Sequence, residues 1–236
     1  MSLHDPAVVR AQYETEEGLA ARKAAYANAD GPNAPQLVFE AVAAVGPSRY
    51  LEVGCGEGEL AARVQDELGC EVIAIDQSER MVERTRARGV NARVGDVQQL
   101  PFGDGEFDCA VAAWMLYHVP DIERALAELL RVLVAGGRLV AVTNYSDHLR
   151  ELKEFVGAPP RSAWHFPGED GERLLRRWFS EVDVRDVGGT VTFADREAVL
   201  TYVRASVQLF GGAGEVPELD QPLVVRRRPV IFVAKK

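Results

Sequence analysis

Between Arg49 and Thr143 short apolar runs alternate with segments of helical apolar spacing, and this alternation constrains the fold more than any other feature of the chain. Residues 50–53, 71–75, 92–94, 107–113 and 138–143 read as strands, and 59–68, 78–88 and 122–132 between them read as helices. Strands that are apolar along most of their length belong to a parallel sheet covered on both faces. Right-handed crossovers then make the fold doubly wound α/β, Rossmann-like, with helices on both sides.

The flanks read differently. Residues 6–28 suggest a helix capped by Asp5 with Pro6 in its first turn; the chain breaks at 30–35, and a second helix runs to about Val45 before Gly46-Pro47. Towards the C-terminus, 171–179 and 195–210 read as helices and 181–187 as a strand, followed by a Gly/Pro-rich loop over 211–222. The last strand, 230–234, has no crossover helix after it, so it is expected to insert antiparallel at the sheet edge.

The chemistry is concentrated in Leu51-Glu52-Val53-Gly54-Cys55-Gly56-Glu57-Gly58-Glu59-Leu60, where a strand runs into three alternate glycines and a helix begins. Glycines at such a turn permit positive φ and let a ligand lie on bare backbone, and the helix start adds free N–H groups. The carboxyl end of a first strand is where open α/β sheets bind nucleotides. The series here is GxGxG rather than the dinucleotide GxGxxG, and acidic Glu57 and Glu59 are expected to repel a pyrophosphate.

Asp76 closes the second strand about 20 residues further on, where a carboxylate accepts from ribose hydroxyls. Gly95-Asp96-Val97 closes the third, and an Asp at that edge can accept from an adenine amine.

With Gln98-Gln99-Leu100-Pro101-Phe102, Phe107-Asp108, Leu116-Tyr117-His118-Val119-Pro120-Asp121 and Gly136-Gly137-Arg138-Leu139-Val140 added, the stretch from Tyr50 to Asn144 resembles the class I S-adenosylmethionine-dependent methyltransferases, the type 11 small-molecule group in particular. The resemblance implies a seven-stranded, mostly parallel sheet with an antiparallel last strand. It implies S-adenosyl-L-methionine as cofactor and S-adenosyl-L-homocysteine as product. Glu52, Gly54 and Gly56 would then line the methionine part, with Cys55 in the same loop. Asp76 would hold the ribose, Gln77 and Met81 would flank the adenine, Asp96 beside Val97 would meet its amine, and backbone at Ala112 and Ala113 would face the cofactor amine. Relatives often carry Asn or Ser near 113 and His near 114; Ala113 and Trp114 stand there instead, so the acceptor pocket is expected to be altered.

Methyl transfer from a sulfonium is an in-line displacement that asks the enzyme chiefly for alignment and dryness. His118 is the histidine placed to serve as a general base, with capping of the Pro120-Asp121 turn as its structural alternative. Arg22 could meet the cofactor carboxylate with Tyr13 nearby, or be solvated; residues 1–46 would form a helical lid, 47–145 the cofactor core and 146–236 the substrate-side half of one domain. Trp164, His165 and Phe166 suggest an aromatic wall or a loop anchored to the core. Arg226, Arg227 and Arg228 read as a solvated edge, and Cys55 as a small filler rather than a nucleophile.

Composition excludes several classes. The 236 residues carry 27 basic against 36 acidic side chains, a net charge of −9 that argues against non-specific nucleic-acid binding. No apolar run reaches the ~20 residues of a membrane span, and the first residues lack a signal-peptide pattern. Three scattered cysteines point away from a disulfide framework or a zinc site and towards a reducing cytoplasm. The expectation is a cytoplasmic methyltransferase, monomer or homodimer, acting on a small molecule with no metal. The alternatives are a non-catalytic cofactor-binding protein, an RNA methyltransferase and, on the fold alone, a nicotinamide-dependent oxidoreductase.

Overall fold

The structure, a computed structural model, describes residues 21, 23–27, 29–158, 165–206, 210 and 215–236. Four of its described helices begin where a side chain accepts from a free N–H group. Asn33 accepts from the Gln36 N–H at the start of α1 (Ala34–Val45), and Gly46 ends that helix in the left-handed region. Asp121 accepts from the Arg124 N–H at the start of the helix Ile122–Val132, and Ser78 from the Met81 N–H at the start of Glu79–Ala87.

The core follows the expected alternation: β1 (Arg49–Val53), α2 (Glu59–Leu68), β2 (Glu71–Asp76), α3 (Glu79–Ala87), β3 (Asn91–Val94), β4 (Phe107–Ala113), α4 (Ile122–Val132) and β5 (Leu133–Asn144). Beyond it come α5 (Arg150–Phe155), α6 (Gly168–Leu175), β6 (Glu181–Asp186), β7 (Gly189–Phe193), α7 (Arg196–Ala205), β8 (Leu223–Arg227) and β9 (Pro229–Lys235). The main sheet has seven strands in the order β3-β2-β1-β4-β5-β9-β6. β3 through β5 pair in parallel, and β9 is antiparallel to both neighbours. The last strand therefore enters between β5 and β6 rather than at the outer edge, burying Val230, Ile231, Phe232 and Ala234.

Strand order reverses at β1 and β4, which opens a crevice at their carboxyl ends. Leu51, Val53, Ile73, Ile75, Ala110 and Ala112 pack on one face; Tyr50, Val72, Ala74, Cys109 and Val111 pack on the other. Alternation along each strand sends successive side chains to opposite faces, and both are buried.

A second sheet, the antiparallel pair β7–β8, went unread in the sequence. Its strands are separated by α7 and the loop before Leu223, so their pairing is not local. With α5 and α7 it encloses a separate apolar cluster around Leu152, Phe193, Tyr202 and Val225. This pairing also corrects the solvated reading of the arginine run. Alternation along β8 turns Arg227 inwards to 6% exposure, where its guanidinium donates to the carbonyls of Asp30, Pro32 and Val187. Arg226 instead pairs with Glu151, and Arg228 with Asp147.

Candidate active site

The crevice holds a cavity of about 980 Å³ including its solvent-open mouth. Its walls are Val53, Gly54 and Gly56 after β1, residues 75–78 after β2, residues 95–98 after β3, and Ala113, Trp114, Met115, His118, Val119 and Pro120 after β4.

The glycines of the loop have different reasons to be glycine. A Cβ on Gly54 would lie 2.8 Å from Cβ and Cγ of Met115, which crosses directly over it. A Cβ on Gly56 would meet nothing within 4 Å, so there the backbone is bare towards open space, at φ 53°. The Gly56 N–H donates to Oδ2 of Asp76 at 2.9 Å, and the Ser78 N–H donates to Oδ1 at 2.9 Å. Burial pushes the Asp76 carboxyl up, and the N–H bonds from Ser78, Gly56 and Gln77 oppose the shift. Each carboxylate oxygen keeps acceptor capacity after its backbone bond.

Asp96 is gripped by Gln98, a residue the sequence reading did not single out. Oδ1 of Asp96 accepts from the Gln98 N–H at 2.9 Å, and the Gln98 amide reaches both carboxylate oxygens at 3.1 and 3.0 Å. Gln98 Oε1 in turn accepts from the Asp121 N–H at 3.1 Å, tying the end of β3 to the start of α4.

Gly54, Gly56, Asp76, Gln77, Asp96, Val97, Ala113 and His118 thus lie together on the cavity wall. Glu52, Cys55 and Met81 are buried just behind it. The Tyr50 hydroxyl donates to Glu52 at 3.1 Å, and burial pushes that carboxyl up to about 8. Cys55 Sγ lies 3.4 Å from the Thr85 hydroxyl, and burial raises its thiol to about 12, which is the behaviour of a filler. Tyr13, Arg22 and Trp164 lie outside the described residues.

Trp114 adopts φ 53°, a strained conformation for a bulky side chain, with its N–H donated to Val142 at 2.9 Å. The His118 ring packs edge-on to Tyr117 with centroids 4.4 Å apart. His165 Nδ1 donates to the Val119 carbonyl at 2.8 Å. Phe166 is fully buried against Phe232, so it anchors its loop to the core and does not face an acceptor.

The acidic glycine loop also differs from expectation. Glu57 pairs with Lys23 and Arg84, and Glu59 with Lys23, so their charge is compensated and does not itself repel a pyrophosphate. The lining makes that argument instead: it carries Asp76 and Asp96, with no lysine or arginine among the described residues that form it. Among the described residues no cluster of three His, Cys, Asp or Glu could hold a metal ion.

The family profile described as "Methyltransferase domain" matches residues 51–141. The O-methyltransferase cnsE of Penicillium expansum is 34% identical over 153 residues, 58% of this chain and 54% of that protein, so the chain spans about half of its length. The O-methyltransferase rstn1 of Aspergillus nomiae is 30% identical over 171 residues, 64% of this chain and 74% of that protein. The chain belongs to the class I S-adenosylmethionine-dependent methyltransferases. A solved S-adenosylmethionine-dependent methyltransferase of Thermotoga maritima, described as a possible histamine N-methyltransferase, superposes with a TM-score of 0.56 and is 26% identical, covering 86% of this chain and 89% of that one.

The residues of the site fit the family's cofactor. The bare backbone at Gly56 gives a surface a Cβ would fill, Asp76 offers two oriented oxygens to paired hydroxyls, and acidic walls suit a cationic ligand.

Proposed function

We propose that this chain methylates an oxygen on a small organic acceptor. The observation that carries the reading is the cavity at the reversal of strand order, lined by bare Gly56 backbone and by two fixed carboxylates, Asp76 and Asp96. The O-methyltransferase names of cnsE and rstn1 favour oxygen as the methylated atom.

When bound, S-adenosylmethionine supplies a methyl group already activated by its sulfonium. In this reading Asp76 accepts from the ribose hydroxyls, and Asp96, with Gln98 beside it, accepts from the adenine amine. Gln77, Met81 and Val97 shape the adenine pocket. Glu52, Gly54, Cys55, Gly56 and Ala113 form or back the methionine side, and Arg22 with Tyr13 would meet the carboxylate. Trp114 and Met115 exclude water beside the glycine loop. His118 accepts the proton of the acceptor hydroxyl at a ring nitrogen. The three free cysteines accord with a reducing cytoplasm, and no described helix is long and apolar enough to cross a membrane.

The test is incubation with S-adenosylmethionine and a panel of small phenols and alcohols, with S-adenosylhomocysteine and methylated acceptor measured by mass spectrometry. Acceptor-dependent turnover that falls about 10²-fold or more in His118→Ala is expected. Methylation of nitrogen acceptors alone would contradict the oxygen assignment, and full turnover in His118→Ala would remove the base.

A further inference from the structure

One helical turn near the N-terminus joins the glycine loop to the α7–β8 cluster. Lys23 Nζ donates to Glu57 Oε2 at 2.6 Å and to Glu59 Oε1 at 2.7 Å. Glu57 directly follows Gly56 and is held from the other side by Arg84, while Arg88 Nε donates to the Glu57 carbonyl at 2.7 Å. Three residues after Lys23, on the same helical face, the Tyr26 hydroxyl lies 2.9 Å from that of Tyr202 and 3.2 Å from His148 Nε2. His148 Nδ1 accepts from the Arg228 N–H at 2.8 Å, so its proton is on Nε2 and is donated to Tyr26. These bonds fix Tyr26 to the cluster around α7 and β8, away from the glycine loop.

The two attachments differ in kind. The Tyr26 end is held by uncharged hydrogen bonds and is part-buried against the α7–β8 cluster, so salt affects it little. The Lys23 end is ionic and half-exposed, so ions screen it. An isolated exposed ion pair contributes little, but here two neighbouring carboxylates share Lys23, Arg84 and Arg88. Removing Lys23 takes away a cation that, among the described residues, bridges both carboxylate side chains.

We propose that Lys23 is a positioning residue that holds the glycine loop through Glu57 and Glu59 while Tyr26 anchors the same turn to the α7–β8 cluster, so that the turn straps the loop closed and slows release of S-adenosylhomocysteine. The release step rests on the cofactor reading above; the loop-holding step does not.

The test pairs amide hydrogen exchange over residues 54–60 with the S-adenosylhomocysteine dissociation rate, in the wild type, Lys23→Met and Lys23→Arg. Exchange and dissociation should both be about 3- to 5-fold faster in Lys23→Met. Lys23→Arg should restore both, and raising salt from about 0.05 to about 0.5 M should speed the wild type more than Lys23→Met, which keeps only the Arg84 and Arg88 pairs. Unchanged exchange in Lys23→Met would overturn the proposal whether or not the ligand binds. Faster exchange with unchanged dissociation would overturn the strap's part in release. Faster exchange in Lys23→Met, with a wild type that binds no S-adenosylhomocysteine, would uphold loop holding and refute the cofactor reading instead.

Discussion

The backbone N–H of Gly56 donates to Oδ2 of Asp76 at 2.9 Å, fastening the bare tip of the glycine loop to the end of β2. One carboxylate thereby orders two walls of the cavity and keeps lone pairs for a ligand. Asp76→Ala should weaken S-adenosylhomocysteine binding by about 1–3 kcal/mol, since charged hydrogen bonds to a ligand are lost along with the loop's anchor. Calorimetry on the variant checks this, and undiminished affinity would refute the ribose assignment.

Met115 crosses directly over Gly54 and leaves no room there for a side chain. Gly54→Ala should cost about 2–4 kcal/mol, combining a left-handed backbone with a Cβ only 2.8 Å from Met115. In a Met115→Gly background the steric part should vanish, leaving about 1–2 kcal/mol of backbone cost. Denaturant titration of the four proteins in the cycle measures the coupling; additive costs would mean Met115 is not the obstacle.

Glu52 is raised to about 8 by burial from an ordinary value of 4.5. The folded chain holds this proton after the unfolded chain has released it. Stability is therefore fully present below about pH 4.5 and is lost as pH rises to about 8, by up to roughly 1.4 kcal/mol per pH unit from this group. Glu52→Gln should flatten that slope in melting experiments across the window. An unchanged slope would show that Glu52 is ionised in the fold.

His148 has the opposite sign. Burial, with Lys153 and Arg227 near, lowers it from 6.5 to about 3, so the unfolded chain binds a proton that the folded chain refuses. Its contribution is present above about pH 6.5 and is lost as pH falls towards 3. Nitrogen-15 spectra should show a neutral ring protonated at Nε2 at pH 5, and a charged ring there would contradict the assignment.

The cofactor half was readable because its determinants are local. Strand, glycine turn and helix follow one another in residues 51–60, and Asp76 and Asp96 end their strands in sequence order. Local spacing also placed the boundaries of α1, α2 and α4. What escaped was non-local. β7 finds β8 across an intervening helix, and Arg227 becomes a buried donor to carbonyls near Asp30, almost the whole chain away. Gln98 was given no role of its own in the sequence because that role depends on reaching Asp96 and Asp121 together. The charge of Glu57 and Glu59 was misjudged for the same reason: Lys23 compensates it from a distant segment.

The central claim is that this cavity takes a sulfonium cofactor and not a dinucleotide. Calorimetric titration of the purified protein with S-adenosylhomocysteine, run beside NAD, tests it most directly. Micromolar binding of S-adenosylhomocysteine with no heat from NAD is the predicted result. Binding of NAD alone would contradict the account.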